Sequence, residues 1–222
     1  PWNIDGLSSV SQVTDKKVFT ILQLRLHERV IALKKEVEDQ LKSDPTHIFD
    51  VELTYITSRG NWYYASWKGD EEKSGGIATN IGVHFFDMLH WIFGPVQHQK
   101  VHVRSHDRAS GVLSFKNANV RWFLSINAAT LPETVVQNGG RIHRSLRFDQ
   151  WSFDFTEGFT ELHSRSYAHI LNGEGFSERD AHAAISIVHG MRESQISPLD
   201  SEAHSLASLP QDLHPFYPIK ES

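Results

Sequence analysis

Asn80, His84, Asp87 and Trp91 recur at intervals of four, three and four, so a helix through them carries all four on one face. An imidazole titrates near neutrality and can take or release a proton at physiological pH. His84 is therefore a candidate general acid or base. Asn80, one turn earlier, has an amide that can orient a substrate hydroxyl. A structural histidine bonded to a backbone carbonyl would show the same spacing. On the other face Ile81, Phe85, Met88, Leu89 and Ile92 form an apolar stripe fit for burial. The pair Gly75-Gly76 opens this segment and Gly94-Pro95 closes it, a stop signal for a helix.

Asp87 has two roles open to it: capping a neighbouring loop or fixing the tautomer of His84. A metal set of His84, Asp87 and His90 is disfavoured, because residues 84 and 90 lie about 240° apart around a helix. The loop Arg59–Asp70 places Trp62, Tyr63, Tyr64 and Trp67 beside Arg59 and Lys68. Aromatic faces next to cations suit a sugar or an anion, and Arg59 has the fork geometry for a carboxylate. An exposed loop at an oligomer interface would have the same composition. Arg165, with Tyr167 close by, sits near a helix start where a phosphate can bind; a solvated helix face is the plainer alternative. The sequence contains no G-x-G-x-x-G, no Walker loop and no serine nucleophile elbow.

The elements that must position these residues follow from periodicity. Asp5–Thr14 reads as the end of a helix. Lys17–His27 is an apolar run with the look of a buried parallel strand. Glu28–Lys42 reads as an amphipathic helix and Ile48–Thr57 as a strand. After the polar-row helix come strands near 99–107, 111–116, 119–127, 142–148 and 151–155, with tight turns at Asn117-Ala118-Asn119 and Asp149-Gln150. Helices follow at 160–171 and 179–192, the second announced by the capping pattern Ser177-Glu178-Arg179-Asp180. Residues 195–222 read as a loose or surface-wrapped tail. The fold class is α+β: a largely antiparallel, open-faced sheet with helices on one side. The other sheet face would carry aromatics, and a second subunit is the expected cover.

The 222 residues include no cysteine, which removes disulfides and cysteine-ligated metals. A net charge of −5 argues against a nucleic-acid groove. No apolar run reaches the roughly 20 residues of a membrane span, and the start has no signal-peptide pattern. A cytoplasmic protein is expected. A first residue of Pro, with no Met, suggests a fragment of a longer chain.

The glycine-led segment resembles the C-terminal domain of the Gfo/Idh/MocA oxidoreductases. Their pattern there is a glycine pair, an acid or Asn, Gly, His and Asp; here it stands as Gly75-Gly76, Asn80, Gly82, His84 and Asp87. The stretches NWYYASWKGDEEKSGGIATNIGVHFFDMLHWIFG and FTELHSRSY are similar to one branch, the UDP-N-acetyl-2-amino-2-deoxyglucuronate dehydrogenases of lipopolysaccharide O-antigen synthesis. The resemblance runs from about Asp5 to Arg192. It implies an NAD-dependent dehydrogenase whose N-terminal Rossmann domain binds NAD and whose C-terminal domain supplies the substrate side. Residues 1–27 would then be the last helix and strand of a truncated Rossmann domain, 28–194 the substrate-binding and oligomerisation domain, and 195–222 the tail. The implied reaction is oxidation of the C3 hydroxyl of a UDP-N-acetylglucosaminuronate-type sugar, with His84 and Asn80 at the reacting hydroxyl. Arg59 is implied for the uronate carboxylate, Lys68 and Arg165 for carboxylate or diphosphate, and Trp67 and Tyr167 as further substrate contacts. Asn80 stands where many relatives have Asp, so His84 would share the proton with a Lys of the Rossmann half. The fragment alone would be inactive, and the intact enzyme a homodimer or homotetramer through the open sheet face. The rival readings are a dehydrogenase for another sugar or inositol, and a non-catalytic sugar-binding or oligomerisation module.

Overall fold

The computed structural model describes residues 2–149, 151–154, 158–159 and 161–216. Helix α1 (Trp2–Thr14) lies against the late helix α9 (Glu178–Glu193), where Ser8 donates to Glu178 at 2.7 Å. The next segment differs from expectation. Lys17–His27 joins no sheet: it makes one isolated bridge, Phe19 to Ser177, and then a single 3-10 turn over Gln23–Leu26. An extended run becomes a strand only if a neighbour completes its ladder. Here Thr20 N–H is taken by Phe176 and Arg25 N–H by Leu22. The apolar side chains Leu22, Leu24 and Leu26 are buried all the same. Their hydrophobic signal was for burial and not for a strand.

Helix α2 (Glu28–Ser43) buries Val30, Leu33 and Val37 and is capped by His27, whose Nδ1 accepts from Arg29 N–H. Strand β1 (Phe49–Thr57) follows, then four helical pieces: α3 (Asn61–Ala65), α4 (Glu71–Ser74), α5 (Gly76–Asn80) and α6 (Gly82–Phe93). Gly75 and Gly76 are both left-handed, at φ 76° and 74°, and only glycine adopts that conformation without strain. The polar-row segment is interrupted at Ile81, between α5 and α6. Gly82 explains the close seat of α6: a Cβ there would come within 2.6 Å of Phe86 and 2.8 Å of Leu124.

Strands β2 (Val96–Arg104), β3 (Arg108–Phe115), β4 (Ala118–Ser125), β5 (Ile142–Phe148) and β6 (Trp151–Asp154) complete a six-stranded open sheet of order β2-β3-β4-β1-β5-β6. Only β1 and β4 run parallel. Short helix α7 (Glu133–Gln137) sits in the β4–β5 connection, and α8 (Leu162–Leu171) precedes α9. The helix-facing side carries Val51, Leu53 and Tyr55 from β1, Val120, Trp122 and Leu124 from β4, and Leu146 from β5. These pack on Phe85, Phe86, Met88 and Leu89 of α6. Each such side chain gains about 1.5–3 kcal/mol on leaving water.

The opposite face differs from the aromatic surface expected. It carries Asp50, Glu52, Thr54, Arg121, Phe123, Ser125 and Arg108, and residues 196–214 of the same chain run over part of it. Ser197 N–H donates to Val101 at 2.8 Å, Lys100 pairs with Asp200 and Glu202, and His204 is buried on Thr54 and Phe123. Farther along, Arg108 donates to the carbonyls of Leu209 and Pro210. A polar Ser/His/Asp segment suits a polar face, so residues 196–214 are wrapped and not loose. Among the described residues no helix is long and apolar enough to cross a membrane.

Candidate functional site

The site is assembled at the carboxyl end of β1, where the chain turns through α3–α5 before entering α6. Asn80 ends α5, and His84 follows in the first turn of α6. Both are partly exposed. The Asn80 amide donates to the hydroxyl of Tyr63 at 2.7 Å. Tyr63 belongs to α3, and the residue is only 2% exposed. Burial pushes the Tyr63 phenol up from its ordinary value, with the Asn80 bond and the nearby Arg59 charge pulling the other way. Arg59 is exposed, anchored by its backbone N–H to Ile126, and its guanidinium lies 6.0 Å from the Trp62 ring. Beneath them Tyr55 packs on Phe85 at 4.7 Å, tying β1 to the helix of His84.

His84 makes no hydrogen bond to a described residue. Burial lowers its pKa; Asp87 partly offsets this and His163, at the start of α8, adds to it. An imidazole with a lowered pKa and no hydrogen bond to a described residue can accept a proton. Asp87 does not orient it. Both Asp87 oxygens go to Arg25, at 3.0 and 2.7 Å, so of its two expected roles Asp87 takes that of fastening a neighbouring segment. Among the described residues no group of three or more His, Asp or Glu could hold a metal.

The other candidates are not gathered with these. Lys68 sits 5.9 Å from the Trp67 ring and lines a separate cavity of about 420 Å³ with Glu71, Glu72, His106 and His214. The acidic lining makes that cavity a poor diphosphate site. Trp67 is 56% exposed. Arg165 is committed to Glu28 at 2.7 Å and to the Leu26 carbonyl, which pins α8 to the start of α2. Tyr167 is 59% exposed. Sequence reasoning missed Tyr63, His163 and Arg25. The run Trp62-Tyr63-Tyr64 announced aromatics but not which of them turns inward.

Residues 46–143 match the model of an oxidoreductase family, described as its C-terminal alpha/beta domain. Over those residues the chain is similar to the C-terminal domain of the Gfo/Idh/MocA oxidoreductases. It is similar to the WlbA (WbpB) dehydrogenase from Thermus thermophilus, solved with NAD and alpha-ketoglutarate: 43% identity, TM-score 0.84, covering 90% of this chain and 63% of that one. The same protein solved with NAD and UDP-GlcNAcA gives 42% identity and a TM-score of 0.83. The WlbA dehydrogenase from Bordetella pertussis, in complex with NADH and UDP-GlcNAcA, shares the fold at 18% identity, with TM-score 0.62 over 85% of this chain and 65% of that one. The chain thus spans just under two thirds of the length of these structures. Within the matched residues 46–143 lie Arg59, Tyr63, Trp67, Lys68, Asn80 and His84; Arg165 and Tyr167 fall beyond them.

Proposed function

We propose that this domain binds the substrate of an NAD-dependent dehydrogenase acting on the C3 hydroxyl of a UDP-N-acetylglucosaminuronate-type sugar in lipopolysaccharide biosynthesis. The observation that carries the reading is His84: an imidazole with a lowered pKa and no hydrogen bond to a described residue, four residues after Asn80, in a chain 42% identical to a dehydrogenase solved with UDP-GlcNAcA. His84 takes the hydroxyl proton, Asn80 orients the sugar, and Arg59 is the carboxylate partner, with Trp67, Lys68, Arg165 and Tyr167 as outlying contacts. The residues here do not fit a dinucleotide. Among the described residues no strand runs through a glycine-rich turn into a long helix, and the one tandem left-handed pair, Gly75-Gly76, opens a helix of five residues. NAD, the hydride acceptor, is accordingly held mainly by residues outside this segment, and the 222 residues alone should not reduce it. The part of the sheet face left open, with Asp50 on Arg121, is the proposed contact for a homodimer or homotetramer.

Calorimetric titration of the intact protein tests this. UDP-GlcNAcA should bind, and free GlcNAcA and myo-inositol should bind far more weakly. Binding of inositol in preference to the nucleotide sugar would overturn the substrate class.

A further inference from the structure

Tyr63 has no part in the mechanism as given so far, yet it is tied directly to Asn80. A tyrosine hydroxyl has one proton to donate and two lone pairs. The Asn80 N–H already fills a lone pair at 2.7 Å. With that donor in place, the Tyr63 proton must point away from Asn80, and no described residue receives it. The Asn80 carbonyl oxygen is likewise unspent among the described residues. The residue is locked, 2% exposed, its ring between Trp62 and Tyr64 with centroids 5.8 and 6.2 Å away, so the hydroxyl cannot swing elsewhere at low cost. Burial outweighs the opposing pull of the Asn80 bond and the Arg59 charge and keeps the group protonated as a donor, not as a base.

We propose that Tyr63 is a specificity-determining residue: its hydroxyl, aimed by Asn80, donates a hydrogen bond to the oxygen of the sugar hydroxyl that reacts. This rests on the substrate reading above. It also gives Asn80 a reason to be an amide. A carboxylate at that position would accept the Tyr63 proton and reverse the bond, leaving nothing for the sugar. The amide donates to Tyr63 and leaves its proton available, which an ionised carboxylate, an acceptor only, cannot do.

The test is binding of UDP-GlcNAcA and its 3-deoxy analogue to the intact protein by calorimetry. Wild type should prefer the parent sugar. Tyr63→Phe keeps the ring and should lose roughly tenfold of that preference, the usual worth of a hydrogen bond to a partner left unpaired. Asn80→Asp keeps the tyrosine but turns its proton inward, and should lose as much. If either variant discriminates as well as wild type, the role of Tyr63 is overturned while the substrate reading stands. If wild type binds neither sugar, the substrate reading itself falls and takes this role with it.

Discussion

Arg25 grips Asp87 through two charge-assisted hydrogen bonds, Nε to Oδ2 at 3.0 Å and Nη2 to Oδ1 at 2.7 Å, with both side chains nearly sealed from solvent at 8% and 2% exposure. The guanidinium also donates to the Asp180 carbonyl at 3.0 Å and lies 5.2 Å from the Phe176 ring. One side chain so joins the 17–27 segment to α6 and α9. Breaking a buried pair by removing one partner strands the other charge, at a cost of about 3–5 kcal/mol. Arg25→Met and Asp87→Asn should each destabilise by about that much, read from urea denaturation. The double variant Arg25→Met/Asp87→Leu should cost clearly less than the sum, since no charge is left stranded. Strict additivity would show that the two side chains do not act as a pair.

Since Asp87 is occupied by Arg25, it gives His84 only partial charge support. Burial, with His163 adding to it, holds the His84 imidazole below the ordinary histidine value of about 6.5. The sign follows: at neutral pH His84 is in its base form, and it is lost as a base only as the pH falls below the ordinary value. The acid limb of kcat/KM for the intact enzyme should therefore lie on the low side of about 6.5. His163→Gln removes one cause of the depression and should move that limb upward. His84→Asn should cut turnover by about 10² or more and remove the limb. A limb unmoved in His163→Gln together with near-native turnover in His84→Asn would end the general-base assignment.

The sequence made local order plain and distant pairing opaque, for a physical reason. Periodicity reports which face of an element is buried, so α2, β1 and the antiparallel strands could be read from it. Capping chemistry is local too, and the Ser177–Asp180 box is present as expected. What periodicity does not encode is the partner. Lys17–His27 had the composition of a strand but no adjacent ladder. Arg25 and Asp87 are 62 residues apart. The close approach of Phe86 and Leu124 to Gly82 forms only after the helix lands on the sheet. Tyr63 was one of three consecutive aromatics until the fold chose it for Asn80.

The tail supplies the last case, because His204 is buried where composition suggested only a polar end. Its Nδ1 accepts from Leu206 N–H at 3.1 Å, so the neutral ring carries its proton on Nε2 and donates to Thr54 at 2.9 Å; the ring stacks on Phe123 at 5.4 Å. Burial, with the charges of Arg121 and Arg147 adding, lowers its pKa to about 3. A second proton would also have to displace the Leu206 bond. In the unfolded chain the imidazole titrates near about 6.5, so on acidification the unfolded state takes up the proton first. The stability contributed by His204 is then fully present above about pH 6.5 and drains away as the pH falls towards 3. The urea midpoint of the wild-type protein should fall between about pH 7.5 and about pH 5. His204→Asn should be less stable than wild type at the upper pH and show a distinctly shallower fall. A variant that loses stability with the same slope as wild type would place the acid sensitivity elsewhere and leave His204 as packing alone.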